Sequence, residues 1–131
     1  MLRSRKLLSI ALLAFFSTAQ ADEWYVDGAE RVIAIADIHG AYTAMVATLQ
    51  NAGVIDDVLD WSAGAAHLVV VGDILDRGPR SRDAMDLLMR LEDEAVAAGG
   101  RVHVLIGNHE SMNLIGDLRY VSKEENLSLI H

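Results

Sequence analysis

Three short polar segments contain the residues of this sequence whose types suit metal and phosphate chemistry. They are residues 37–40 (DIHG), 72–78 (GDILDRG) and 107–110 (GNHE). Their carboxylates, imidazoles, amide and guanidinium are groups that bind divalent metal ions and phosphate. Each segment directly follows a run of strand-forming apolar residues. A sheet that brought the ends of these runs together would create one site.

The apolar runs cover residues 32–36, 67–71 and 102–106. The second run is rich in β-branched residues and shows no polar alternation, which predicts a strand buried on both faces. His67 and His103 lie at the start of one run and within another. Histidines in such places more often have a structural role than a ligand role.

Helical spacing of apolar residues predicts a helix over residues 42–50 and a second helix after Pro79, which has periodic apolar residues from 84 to 95 and is ended by Gly99 and Gly100. Ser81 or Asp83 would cap the start of the second helix. Residues 112–118 begin a further helix or a loop. Strands and helices that alternate in this way predict an α/β fold of parallel βαβ units with right-handed crossovers.

Ligands of such sheets bind beyond the carboxyl ends of the strands. In an extended segment residues two apart face the same way, so Asp37 and His39 would both point at one metal ion while Ile38 packs inward. The two oxygens of Asp73 could bridge two ions. Asn108 offers a neutral carbonyl oxygen, and this mixture of donors favours manganese, iron or zinc over calcium.

Three further residues suit the phosphate side of the chemistry. His109 is a candidate general acid toward a departing alkoxide, and Asp76 would hold its ring. The planar fork of Arg77 matches two phosphate oxygens. Glu110 would brace either Arg77 or a loop backbone. Each segment taken alone also fits a turn or a capped loop, with Asp76 and Arg77 as a surface ion pair.

The first 21 residues have the features of a cleavable secretory signal peptide. Three basic residues within positions 3–6 precede an apolar stretch over residues 7–16, and residues 19–21 (AQA) form a small-residue cleavage site. About ten apolar residues are too few for a hydrocarbon core that needs roughly twenty. We therefore expect export to the periplasm or the outside of the cell, and a mature chain of residues 22–131 with no stable membrane span.

The composition bounds the fold and the partners. A chain of 131 residues with 52% hydrophobic content suits one domain. It has no cysteine, so the core or bound metal must hold the fold without disulfides. Removal of the leader leaves eight basic residues against 19 acidic ones, a net charge of −11. Such a charge argues against nucleic acid as a partner.

With these three motifs in this order and spacing, the chain resembles the calcineurin-like metallophosphoesterase superfamily. Within it, the chain is most similar to the phosphoprotein phosphatase branch, whose signatures are GDxHG, GDxxDRG and GNHE. Residues 111–120 (SMNLIGDLRY) resemble the bacterial Shewanella-like protein phosphatases. The resemblance covers about residues 32–120, with Ala36 where the family usually has glycine.

The resemblance implies part of a metallophosphoesterase β-sandwich with flanking helices, of which this chain holds the first βαβαβ half. It also implies two divalent metal ions, which would be manganese, iron or zinc. By this resemblance Asp37 and His39 would bind the first ion, Asp73 would bridge the two, and Asn108 would bind the second.

The same resemblance implies a metal-dependent phosphoric-monoester hydrolase in which a metal-bridging water attacks phosphorus in line. His109 with Asp76 would protonate the leaving group, and Arg77 would hold the phosphoryl oxygens. The substrates would be proteins phosphorylated on serine, threonine or tyrosine, or small phosphomonoesters.

In this family the second half of the domain adds two metal-binding histidines, a further arginine and the second sheet. The only histidine after the matched stretch of this sequence is His131. We therefore expect an N-terminal fragment that folds poorly, exposes an apolar sheet face, binds metal weakly and has little activity.

Two other functions remain open from the sequence. One is a non-catalytic module that binds metal or phosphate. The other is a hydrolase similar to the symmetrical dinucleoside tetraphosphatases, which carry very similar motifs, although export argues against a cytosolic dinucleotide substrate.

Overall fold

A computed structural model describes residues 28–128 of the chain. The predicted signal peptide, residues 1–21, lies outside the described residues. Within residues 28–128, the helices are all too short or too polar to cross a membrane.

A parallel sheet of three strands forms the centre of the described residues. Its strands are β1 (Val32–Ile35), β2 (His67–Val70) and β3 (Arg101–Val104), in the order β1-β2-β3. The β-branched residues concentrated in these runs fit a pleated, packed surface. The parallel order confirms the predicted α/β class, and the carboxyl ends of all three strands lie at the same edge of the sheet.

The helices are α1 (Tyr42–Asn51), α2 (Ser81–Ala97), α3 (Asn108–Leu114) and α4 (Lys123–Ser128). The first two are the crossovers between strands, and they contact each other, which places them on one face of the sheet. The third helix begins at Asn108, before the predicted position 112. It does so because the Glu110 side chain accepts a hydrogen bond from the Gly107 N–H and so satisfies a donor at the helix start.

The start of α2 is capped from a distance. The prediction that Ser81 or Asp83 caps this helix is wrong, because neither side chain bonds the free N–H groups there. The Ser81 N–H donates to Glu125 Oε1 at 2.7 Å, and Asp83 pairs with Arg80 at 2.6 Å. A carboxylate is favourable at this end of a helix because the helix dipole is positive there.

The hydrophobic core lies between the sheet and the two crossover helices. Leu68 and Val70 of β2, Leu49 of α1 and Leu91 of α2 are fully buried in it. The intervening residues of β2 are only half-buried. The prediction that this strand is buried on both faces is therefore wrong for the described residues, because both crossover helices cover the same face.

The opposite face of the sheet is partly open, and its Val32 side chain is 59% exposed. Two histidines meet on this face, with 3.1 Å between His67 Nδ1 and His103 Nε2. The pKa of His103 is lowered, first by burial and then by the nearby His67 and Arg101. This pairing of the two rings fits the structural role predicted for them.

Glu110 ties the loop after β2 to the start of α3. Its Oε2 accepts the N–H groups of Asp73 (2.7 Å) and Gly107 (2.9 Å), and its Oε1 accepts those of Ile74 (2.8 Å) and Leu75 (3.0 Å). Burial by itself would raise the pKa of this carboxyl, but the four N–H donors outweigh burial and lower it. Of the two predicted roles for Glu110, the structure has the bond to the loop backbone.

We expect Glu110→Gln to destabilise the fold by about 2 kcal/mol at pH 7, because hydrogen bonds to a charged acceptor are lost and an amide NH₂ faces backbone donors. The pKa of Glu110 is lowered in the folded state, so its contribution is complete above the ordinary value of 4.5. It disappears as the pH falls through the folded-state pKa. Urea unfolding measured from pH 7 downward should show the difference between the two proteins shrinking below pH 4.5.

Glu92→Gln, on the exposed side of α2, is the matched control and should change stability little at any pH. A Glu110→Gln protein as stable as the parent at pH 7, or a deficit that does not change with pH, would contradict this account.

Candidate metal and phosphate site

The loops that follow β1 and β2 are joined by their backbones. The His39 N–H donates to the Asp73 carbonyl at 2.8 Å, and the Gly40 N–H donates to the Ile74 carbonyl at 2.9 Å. Gly40 has a φ of 64° and lies so close to Gly78 that a Cβ would be 2.6 Å from its carbonyl oxygen. Glycine is therefore required at this position.

Three side chains, one from each of these two loops and one from the first turn of α3, form a cluster suited to a metal ion. His39, Asp73 and His109 each offer a ligand atom, and these atoms lie within 4.8 Å of one another. His39 and Asp73 are half-buried, and His109 is 3% exposed. Imidazole nitrogen together with carboxylate oxygen fits manganese, iron or zinc, so the residues present suit the metal that the sequence predicts.

The ring of His39 is oriented as a metal ligand requires. Its Nδ1 lies 3.0 Å from the carbonyl oxygen of Leu75. A carbonyl only accepts hydrogen bonds, so Nδ1 carries the proton and Nε2 keeps its lone pair. Such a bond to the far nitrogen fixes the tautomer and ring direction of metal-binding histidines.

His109 and Asp76 form a buried pair beside this cluster. The carboxylate of Asp76, 1% exposed, lies 2.7 Å from His109 Nδ1 and accepts its hydrogen bond. The ring of His109 meets that of His39 edge to face, with centroids 4.6 Å apart. The other nitrogen, Nε2, is 3.3 Å from Arg77 Nη2. A guanidinium only donates hydrogen bonds, so Nε2 accepts from Arg77 and is the ring nitrogen on the side away from Asp76.

Arg77 places an exposed guanidinium next to His109. Its backbone N–H donates to the carbonyl of Tyr120 at 2.8 Å, which fixes the loop at this residue. No acidic side chain within residues 28–128 forms an ion pair with it, in contrast to Arg80, Arg90 and Arg119. The fork of Arg77 is therefore available for an anion.

Asp37 and Asn108 lie at the same edge of the sheet but are exposed. Asp37 is not part of the cluster of His39, Asp73 and His109. The expectation that residues 37–39 are extended is wrong, because Asp37 and His39 have left-handed φ angles of 53° and 45°. Ile38 between them is buried, as predicted. Asn108 is the first residue of α3, directly before His109.

Left-handed backbone is concentrated in these loops. A non-glycine residue with positive φ is uncommon, and the strain is held in place by the surrounding structure. Of the six such residues described, five lie in the two loops: Asp37, His39, Asp73, Asp76 and Arg77.

Two residues contribute to the site without a role assigned from the sequence. Asn113 Nδ2 donates to Asp76 Oδ1 at 2.9 Å, and the ring of Tyr120 lies 5.2 Å from that of His109. Asn113 follows His109 by one helical turn, and this spacing is the signal that could have identified it. Tyr120 is brought to the site by a loop that leaves no periodic signal.

Comparisons with known proteins agree with this geometry. Residues 30–130 match the family model for calcineurin-like phosphoesterases. The chain is 42% identical to Shewanella-like protein phosphatase 2 of Arabidopsis thaliana over 95 residues. This alignment covers 72% of this chain and 24% of that protein. It is 35% identical to Shewanella-like protein phosphatase 1 of Plasmodium berghei over 95 residues, and this alignment covers 72% of this chain and 26% of that protein.

A solved structure is also similar. The cold-active protein-tyrosine phosphatase of a psychrophilic Shewanella species superposes with a TM-score of 0.76 and 39% identity, over 79% of this chain and 31% of that one. The chain thus spans about a quarter of the length of the curated relatives it matches. The fold, the cluster of candidate metal ligands and these matches together show that the chain belongs to the calcineurin-like phosphoesterase family.

Proposed function

We propose that these loops form part of the active site of a metal-dependent phosphoric-monoester hydrolase. The observation that carries the proposal is that ligand atoms of His39, Asp73 and His109, from two loops and the start of α3, lie within 4.8 Å of one another. The buried carboxylate of Asp76 bonds to Nδ1 of His109, and the exposed guanidinium of Arg77 lies beside Nε2 of the same ring. A turn or a structural ion pair would not require this combination.

The residues that would hold divalent ions are Asp37, His39, Asp73 and Asn108, as the resemblance implies. Of these, His39 and Asp73 belong to the cluster, whose third member, His109, is left for proton transfer. Divalent ions at such a site would supply an activated water and neutralise charge on the phosphate. Half-burial of His39 and Asp73 limits competition from solvent. Asp37 and Asn108 are exposed at the same edge of the sheet.

The chain's own residues then bind the phosphate and move the proton. Arg77 would hold two phosphoryl oxygens with its planar fork. His109 would give a proton from Nε2 to the leaving oxygen, while Asp76 accepts its Nδ1–H and stabilises the charged ring. Phosphorylated proteins and small phosphomonoesters are the proposed substrates, in line with the names of the relatives.

The proposed ligand set is incomplete for two ions. Four side chains leave coordination positions that residues beyond the described ones would have to fill, and the chain spans only about a quarter of its curated relatives. We therefore propose that this chain alone is a fragment with weak metal binding and low activity.

Manganese titration by calorimetry tests the metal site directly. Loss of an outer hydrogen-bond partner of a metal ligand costs about 10 to 100-fold in affinity. We expect His39→Ala, which removes a direct ligand, to cost at least as much, whereas His67→Ala on the other face of the sheet should leave binding unchanged. Tight binding of two ions by this chain alone would contradict the incomplete ligand set.

Turnover of p-nitrophenyl phosphate with added manganese tests the activity. The full-length protein encoded by the gene should show metal-dependent hydrolysis. In that protein, His109→Ala should reduce kcat about a hundredfold or more because the general acid is lost. His103→Ala is the matched control, and we expect it to keep the parent rate.

An inert full-length protein would support instead a non-catalytic module that binds metal or phosphate. Preference for a dinucleoside tetraphosphate over phosphomonoesters would support the tetraphosphatase-like alternative. Both outcomes would overturn the proposed substrate class.

We also propose that the protein is exported, on the basis of its first 21 residues. Mass spectrometry of the protein recovered from its host should find a mature amino terminus at Asp22. Replacing Ala19 and Ala21 together with phenylalanine should block cleavage, whereas Gln20→Phe, at the tolerant middle position, should not. An intact amino terminus on the recovered parent protein would rule out the cleavable signal.

A further inference from the structure

Behind the His109–Asp76 pair lies Asn113, whose amide nitrogen makes two hydrogen bonds. Nδ2 donates to Asp76 Oδ1 at 2.9 Å and to the backbone carbonyl of His109, also at 2.9 Å. Both hydrogens of the amide are therefore used. The side chain is held between α3 and the loop after β2.

The two oxygens of Asp76 have separate partners. Oδ2 accepts from His109 Nδ1 at 2.7 Å, and Oδ1 accepts from Asn113. The carboxylate is 1% exposed, so bulk water cannot replace a lost donor freely. The rotation of the Asp76 carboxylate about its Cβ–Cγ bond thus depends on the amide of Asn113.

The three residues form a closed ring of contacts. His109 and Asn113 belong to the same helix, one turn apart, and Asp76 bridges them from the neighbouring loop. Movement of the carboxylate would break a bond to one or the other. The helix thereby carries both the imidazole and the group that orients the partner of that imidazole.

We propose that Asn113 is a positioning residue. It holds the Asp76 carboxylate so that Oδ2 keeps the proton of His109 on Nδ1 and leaves Nε2 directed at the phosphate side of the site. Without the amide, Oδ1 would be a buried acceptor with no donor among residues 28–128, and the carboxylate would turn or shift to recover one. The ring of His109 would then lose its single tautomer and direction.

The kinetic part of this inference rests on the proposed function, but the structural part does not. NMR of the ring nitrogens in the folded, metal-free protein at pH 7.5 reports the tautomer of His109 directly. We expect the parent to show an Nδ1–H tautomer with a hydrogen-bonded Nδ1 proton. Asn113→Leu, which is close in size but has no donor, should lose that signal or mix the two tautomers.

Met112→Ala is the matched control, since it changes the neighbouring half-buried residue of α3 and contacts neither Asp76 nor His109 through a polar atom. It should keep the parent tautomer. Asn113→Gln, which retains an amide, should recover part of the signal and guards against a leucine variant that fails to fold. An unchanged His109 tautomer in folded Asn113→Leu, or the same loss in Met112→Ala, would overturn the proposal.

In the full-length protein, Asn113→Leu should lower kcat about tenfold or more and leave KM within about twofold. In the Asp76→Asn background the same change should lower kcat less than about twofold, because Asn113 acts through Asp76. Equal effects in both backgrounds would overturn the proposal. If no protein turns over substrate, the proposed function fails, and the NMR result still decides the role of Asn113.

Discussion

Four backbone N–H groups converge on one carboxylate, that of Glu110, and the placement of the site depends on this convergence. The carboxylate fixes the loop residues 73–75 and the start of α3 relative to each other. The Asp73 carbonyl, held in this way, accepts a hydrogen bond from the backbone N–H of His39, and the Leu75 carbonyl accepts one from His39 Nδ1–H. The metal-binding side chains from the two loops and from α3 are thus positioned by main-chain atoms that Glu110 holds in place.

The parts of this arrangement that depend on local sequence could be predicted. Apolar runs of strand length define the three strands, and in a parallel sheet their carboxyl ends must share an edge. The shared edge predicts that Asp73 and His109 lie close together, and the structure has both there. The predicted contact between Asp76 and the ring of His109 is also present, at 2.7 Å.

The parts that depend on tertiary contacts could not be predicted. The first turn of α2 receives its cap from Glu125, 44 residues away, which no local capping pattern reveals. Asp37 and His39 have left-handed backbone, and the N–H groups of His39 and Gly40 bond to the neighbouring loop, so the extended geometry expected from alternation did not apply. Burial of β2 on one face depends on the side to which both crossovers return. None of these features leaves a periodic signal in the sequence.

Left-handed conformations at Asp37, His39, Asp73, Asp76 and Arg77 constrain how these loops can change over evolutionary time. A β-branched replacement at any of these positions would clash with its own backbone, whatever its effect on chemistry. Asparagine and glycine would satisfy the backbone but remove the functional group. Divergence at these positions is therefore limited by conformation and by chemistry independently, so invariance there would not by itself reveal which residues take part in catalysis.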